Sequence, residues 1–140
     1  MLLPSALQQI LVSSGYVNEE QYQAALKTAQ DLDKTIIDIL LFRGLITEEA
    51  LGKLIAEYYQ IPFVSLKHQL IPTDILNLVP EKTATAFRMI PFNRKENELY
   101  LAMENPEDLE AIEFAKRSSK LNIVPYYING SDLQKNLGQY

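Results

Sequence analysis

A stretch of this chain returns 29 residues later, and that period commits the first half to two copies of one folding unit. Residues Leu7–Glu20 come back as Ile36–Glu49, with Gly15 falling on Gly44 and the pair Glu19-Glu20 on Glu48-Glu49. The match continues downstream, where Tyr22 corresponds to Leu51 and Leu26 to Ile55. Apolar residues recur at helical spacing in each arm: Leu7, Ile10 and Leu11, then Tyr22, Ala25 and Leu26, then Ile36, Ile39 and Leu40, then Leu51, Leu54, Ile55 and Tyr58. Four helices in two helix-turn-helix repeats are expected. Gly15 and Gly44 fit the left-handed residue that closes the first and third helices, and Tyr16-Val17 and Leu45-Ile46 are placed to pack back beneath each turn. Asn18 and Thr47 are the expected N-caps of the second and fourth helices, and Gln21 completes a capping box with Asn18. The glutamates after each cap meet the positive end of a helix dipole. Architecture alone accounts for these glycines and glutamates.

From Ile61 onward the pattern changes. Pro4 is the one proline before that point, whereas Pro62, Pro72, Pro80, Pro91, Pro106 and Pro125 punctuate the remainder. Residues Ile61–Leu66 read as a short extended exit from the helices, and Thr73 is expected to cap a brief helix through Leu78 that Pro80 ends. Met89–Phe92 and Leu99–Met103 read as strands around the polar turn Asn93–Asn97. A helix is expected over Leu109–Ser118, with Leu109, Ile112, Phe114 and Ala115 as its apolar stripe. Asn122–Ile128 reads as a third strand, and Ser131 as the cap of a last helix through Leu137. Pro91 and Pro125 assign their strands to edges or bulges. The expected fold class is α+β: a four-helix repeat subdomain over residues 1–60, then a small α+β subdomain over residues 61–140 with a roughly three-stranded sheet.

Several function classes are excluded by what the chain contains. Its 140 residues are 47% hydrophobic and 22% charged, a globular composition. No apolar run approaches the roughly 20 residues that span a bilayer. Residues Met1–Ser5 lack the regions of a secretory signal, and the chain has no cysteine, so a cytoplasmic protein is expected. The single histidine, His68, sits beside Lys67 in an expected loop and has no nucleophile to serve. Gly52-Lys53 lies inside a helical pattern and is followed by Leu54, so it is no phosphate-binding loop. The acidic run Glu104, Glu107, Asp108, Glu110 and Glu113 lacks the ligand order of a calcium loop and suits a helix N-terminus. Asn129-Gly130-Ser131 matches a glycosylation sequon but reads as a turn and helix cap. A formal net charge of −5 gives no electrostatic case for nucleic acid. No enzyme activity, metal or cofactor is expected.

The run Gly44-Leu45-Ile46-Thr47-Glu48-Glu49 between apolar helices, followed by Gln60–Leu66, resembles the N-terminal domain of type II secretion and type IV pilus assembly ATPases, the GspE/PilB/MshE family. Ile75–Glu81, Met89–Phe92 and Leu101–Asp108 are similar to that family's continuation, so the resemblance covers nearly the whole chain. It implies a bacterial, non-catalytic module that precedes a hexameric motor ATPase. Such a module docks on the cytoplasmic domain of a platform protein or signals to the motor, and is held at the inner membrane through that partner. A free-standing adaptor and the front of a longer motor chain both fit these residues.

Family members that bind cyclic di-GMP carry in each repeat an Arg-Leu-Gly opening, apolar pairs around the turn glycine, two leucines on the next helix and a closing glutamine. Here the openings are Ala6-Leu7-Gln8 and Thr35-Ile36-Ile37, so both arginines and both glycines are missing. The closing positions hold Ala29 and Tyr58, with Gln30 and Gln60 close by. What survives is the apolar wall: Leu7, Leu11, Val12, Tyr22 and Leu26 in the first repeat, Ile36, Leu40, Leu41, Leu51 and Ile55 in the second. The ligand candidates are therefore the wall positions Leu7, Leu11, Leu26, Ile36, Leu40 and Ile55. Over residues 1–60, four basic side chains (Lys27, Lys34, Arg43, Lys53) stand against eight acidic ones, a formal balance of −4 that opposes a dianionic dinucleotide. The expectation is a retained fold with nucleotide binding lost or much weakened; the alternative is a cyclic di-GMP receptor with a divergent site. Partner-binding candidates are the aromatics Tyr58, Tyr59 and Phe63 near the junction of the two halves, and Tyr126-Tyr127, one on each face of the third strand.

Overall fold

A computed structural model describes residues 2–140 as two compact units, Leu2–Tyr58 and Tyr59–Tyr140. The first holds α1 (Pro4–Ser13), α2 (Glu19–Leu32), α3 (Ile36–Phe42) and most of α4 (Glu48–Tyr59). α1 and α3 end by the device their sequence carries. Gly15 and Gly44 adopt φ of +86° and +69°. At the second turn the Leu45 amide donates to Leu40 O at 3.1 Å and the Gly44 amide to Leu41 O at 3.0 Å, the paired closure of a left-handed helix end. At the first, the Gly15 amide donates to Val12 O at 3.2 Å. Val17 and Ile46 pack beneath their turns, while Tyr16 stays 47% exposed. Asn18 and Gln21 form the reciprocal capping box, and Thr47 Oγ1 accepts from the Ala50 amide at 3.1 Å. Thr35 caps α3 by accepting from the Asp38 amide at 3.1 Å. Leu11, Ala25 and Leu40 have no exposed surface and mark the centre of this unit.

The second unit runs α5 (Thr73–Leu76), α6 (Glu81–Phe87), β1 (Met89–Lys95), β2 (Glu98–Met103), α7 (Leu109–Ser119), β3 (Asn122–Tyr127) and α8 (Gly130–Leu137). The fold is α+β, as the sequence predicts, with a three-stranded sheet ordered β1-β2-β3. β1 and β2 form an antiparallel hairpin, and α7 carries the chain across so that β3 runs parallel to β2. Both prolines sit where their missing N–H is harmless. The register shifts between Pro91 and Asn93, a bulge on edge strand β1. On β3 the amides of Asn122 and, just beyond the strand, Ile128 point toward β2's side, donating to Asn97 O and Met103 O, while the Tyr127 amide points outward to Pro62 O. Pro125 shares Tyr127's outward phase, so no ladder bond is lost. Leu99, Leu101 and Met103 of β2 are fully buried and pack in one core with Ile90, Ile128 and Leu133.

Local expectations fail at five places in this unit, the first being the hairpin turn, which shrinks to Glu96-Asn97 because Asn93–Lys95 continue β1 in register with β2. Thr73 is the first helical residue rather than the cap; Pro72 holds the N-cap position and α5 stops at Leu76. The helix α6 is unexpected: Pro80, read as a terminator, sits in extended geometry at its N-cap and so starts a helix as well as ending one. On α7 Ala115 is buried and Ile112 packs against the core as expected, but the other fully buried position is Ala111, whereas Leu109 is 75% exposed and Phe114 lies at the surface. Asp108 sets that phase by accepting from the Ala111 amide at 3.1 Å, and alanines at i and i+4 suit a helix lying close to a strand. Asn129, not Ser131, holds the N-cap position of α8. Among the described residues no helix is long and apolar enough to cross a membrane.

Candidate functional site

Because α1 to α4 pack through their repeat-conserved faces, the wall positions become part of the helical core. Leu7, Leu11, Leu40 and Ile55 are buried, with Leu11 and Leu40 at zero exposure, while Leu26 and Ile36 are half-buried. Tyr22 is buried as well, and burial, together with the nearby Glu19 carboxylate, pushes its phenol above the ordinary tyrosine range. The repeat openings carry no cationic group: the Gln8 amide donates to Glu19. Ala6 is half-buried, and the Thr35 hydroxyl is spent on the α3 cap.

Two hollows of this unit lie along α1. One hollow of about 360 Å³ is lined by Ile10, Ser13 and Ser14 at the end of α1 and by Leu54, Glu57 and Tyr58 at the end of α4. A second, of similar size, is lined by Ser5, Gln8, Gln9, Val12 and Ser13 with Glu19, whose carboxylate accepts a short hydrogen bond from Gln8 Nε2. Of the aromatic candidates, Tyr58 belongs to the first hollow. Its neighbours in sequence belong elsewhere.

In the α+β unit, Tyr59, Phe63 and Tyr127 come together. The Tyr59 and Tyr127 rings stack at 6.2 Å, Phe63 lies 6.5 Å from Tyr127, and the Val64 amide donates to Tyr127 O at 3.0 Å. Burial first, then the charge of Glu104 and the Tyr59 phenol, hold the Tyr127 phenol well above its ordinary range. Tyr126 points to the other sheet face and joins Tyr100 at 5.5 Å and Phe92 at 5.1 Å. Phe92 and Tyr100 were not among the sequence candidates. The register pairs Ala102 with Tyr126 and Tyr100 with Val124, which makes Tyr100 and Tyr126 diagonal neighbours once the strands are aligned.

Two polar clusters in the same unit also escape a linear reading. Arg88, the left-handed C-cap of α6, donates from Nε to Glu104 at 2.8 Å and from its other nitrogens to Gln134 and to Gly130 O. A side chain at residue 130 would collide with the Glu104 carboxylate, 2.5 Å from an ideal Cβ, so glycine there makes room for the pair. On α8 the buried Asp132 accepts from the Leu66 amide at 2.8 Å and from Asn136 Nδ2 at 2.9 Å. Gln139, just past the end of α8, accepts from the Ile71 amide and donates to Gln69 O and Asn136 Oδ1, so α8 and the turn after it pin the irregular segment 66–71. His68 is exposed at the tip of that segment with φ of +62°. Among the described residues no group of histidine, aspartate or glutamate side chains is placed to hold a metal ion.

This architecture has known counterparts. The MshEN domain family pattern matches residues 45–140. The type IV pilus assembly ATPase PilB of Acinetobacter baylyi is 25% identical over 130 residues, covering 93% of this chain and 22% of the relative. PilB of Thermus thermophilus is 27% identical over 118 residues, 83% of this chain and 13% of its own length. PilB of Myxococcus xanthus is 25% identical over 134 residues, 96% of this chain and 24% of its own. This chain thus spans a quarter or less of each relative. A solved structure of MshE with cdg superposes with a TM-score of 0.70 at 25% identity, covering 96% of this chain and 97% of that one. The N-terminal domain of XpsE shares the fold at a TM-score of 0.62 and 16% identity, covering 97% and 94%.

Proposed function

This chain belongs to the MshEN domain family, and from that membership we propose that it is a non-catalytic docking and regulatory module of a type IV pilus or type II secretion system. In this reading it works in the cytoplasm, against the cytoplasmic domain of an inner-membrane platform protein or against the motor ATPase itself. The observation that carries it is the fate of the repeat positions. Leu7, Leu11, Leu40 and Ile55 are consumed as core, and Thr35, where a phosphate-binding arginine would open the second repeat, is consumed as a helix cap. The outward surface of the repeats is then available to a protein. Capture by immobilised platform and motor domains from the host tests the reading, and failure with every such domain would leave it without support.

A second reading, a cyclic di-GMP receptor with a divergent site, draws on one observation: the similar MshE structure, described as holding cdg, covers nearly all of both chains. The half-buried Val12, Leu26, Ile36 and Leu41 would be its remaining accessible walls. Isothermal titration with cyclic di-GMP separates the two. No heat at 100 µM ligand (~8 kcal/mol of affinity would be needed at micromolar Kd) supports docking, and low-micromolar or tighter binding supports the receptor.

A further inference from the structure

We propose that the hollow between the ends of α1 and α4 receives an arginine side chain from a partner protein. The argument comes from the repeat itself, because the same place is already filled in the sister repeat. Adding 29 to Ile10, Ser13 and Ser14 gives Ile39, Phe42 and Arg43; subtracting 29 from Leu54, Glu57 and Tyr58 gives Ala25, Thr28 and Ala29. In the sister place Arg43, the C-cap of α3, reaches across to α2 and donates from Nη2 to Thr28 Oγ1 at 2.7 Å. The other repeat-related positions Ala25, Ala29 and Ile39 are buried, while Arg43 itself stays exposed. In the first repeat the C-cap is Ser14, too short to cross, and Glu57 stands where Thr28 would be. The result is a hollow of about 360 Å³ where the guanidinium has its counterpart.

The electrostatics of the hollow favour a cation more strongly than the sister place does. Glu57 is exposed and has no ion-pair partner among the described residues. The C-termini of α1 and α4 both end here, neither with a basic residue in its last turn, so two negative helix ends face one space. The Ser13 and Ser14 hydroxyls donate to Gln9 O and Leu11 O, which leaves oxygen lone pairs to accept. Ile10 and Leu54 supply apolar surface for the methylene stem. A planar guanidinium with five donors matches a carboxylate plus hydroxyls better than a point-charge ammonium does. The biological occupant rests on the docking reading; the chemistry of the hollow does not.

Amide NMR of the 140-residue chain, titrated with N-acetyl-arginine amide, N-acetyl-lysine amide and the neutral isostere N-acetyl-citrulline amide, tests this directly. The arginine probe should shift Ser13, Ser14, Leu54 and Glu57 saturably, with the citrulline probe at least about tenfold weaker. Glu57→Gln should erase the arginine advantage, and Ser14→Arg should fill the hollow from within, as Arg43 does, and exclude the probe. Equal shifts from arginine and citrulline, or an unchanged titration in Glu57→Gln, would overturn the proposal; equal saturation by the lysine probe would overturn the guanidinium assignment. A negative platform capture leaves this titration unaffected, so the two readings fail separately.

Discussion

The helical unit and the α+β unit handle buried polarity in different ways. In the helical unit hydrogen-bonding side chains work at exposed helix ends: Asn18, Thr35 and Thr47 each satisfy an amide that the helix itself leaves orphaned. In the α+β unit Asp132 and Asn136 are buried; Asp132 accepts from the Leu66 amide, 66 residues away in sequence, and Asn136 donates to Asp132. The first unit is therefore assembled from local rules applied twice, and the second from a non-local clamp. What this teaches is where tolerance should lie: the helical unit should absorb single changes in small increments, and the α+β unit should fail at specific points.

The largest effect should come from the sheet. Leu101→Ala, at a fully buried position of the central strand, should cost about 2–5 kcal/mol in urea unfolding. Leu26→Ala, at a half-buried helical position, should cost clearly less, and equal losses would break the contrast. Next, Asp132→Ala removes the acceptor of the Leu66 amide and of Asn136, for roughly 1–3 kcal/mol, with faster hydrogen exchange at Leu66 as its signature. Unchanged exchange there would show that the clamp is not what holds the segment. In the helical unit Gly44→Ala meets open space, so its cost should be the left-handed backbone alone, about 1–2 kcal/mol. A larger loss would mean that the turn is tied into more than its own closure.

The smallest effect concerns alkaline pH. Burial, with Glu81 nearby, raises the Tyr140 phenol, whose hydroxyl donates to Val79 O at 2.9 Å, and the Tyr127 phenol is raised as described above. A raised folded pKa means that the stabilisation is complete below the unfolded tyrosine value of about 10 and is lost as pH climbs above it, because the unfolded chain ionises first. The melting temperature should hold from pH 8 to about 10 and fall from there to pH 11, and Tyr140→Phe should flatten part of that slope. An identical slope in the variant would assign the loss to other groups.

Legibility followed range. The repeat made α1 to α4, both glycine closures and the caps at Asn18 and Thr47 readable, since each depends on residues a few positions apart. The hairpin and third strand were readable from apolar runs, and the prolines correctly marked β1 and β3 as edges. Phase was harder. On α7 Ala115 was readable as part of the stripe, but the bulky Leu109 and Phe114 turn outward, and Ala111, whose amide is capped by Asp108, takes the other buried position. The aromatic candidates separate for a similar reason: Tyr126 and Tyr127 alternate across the sheet, and only strand register shows that one joins Phe92 and Tyr100 while the other joins Tyr59 and Phe63. The hollow at Ser14 and Glu57 was not readable from either residue alone, because it arises from a length difference between repeat-related side chains on separate helices.

By itself the amino-acid order determined the period, the helix ends, the strand-forming runs and the family, because those follow from local backbone chemistry and from patterns that survive without partners. Tertiary structure alone decided which apolar face each helix buries, which polar side chains serve distant amides and where space is left between helices. Those outcomes depend on the sizes and reach of side chains that meet only after the chain has folded.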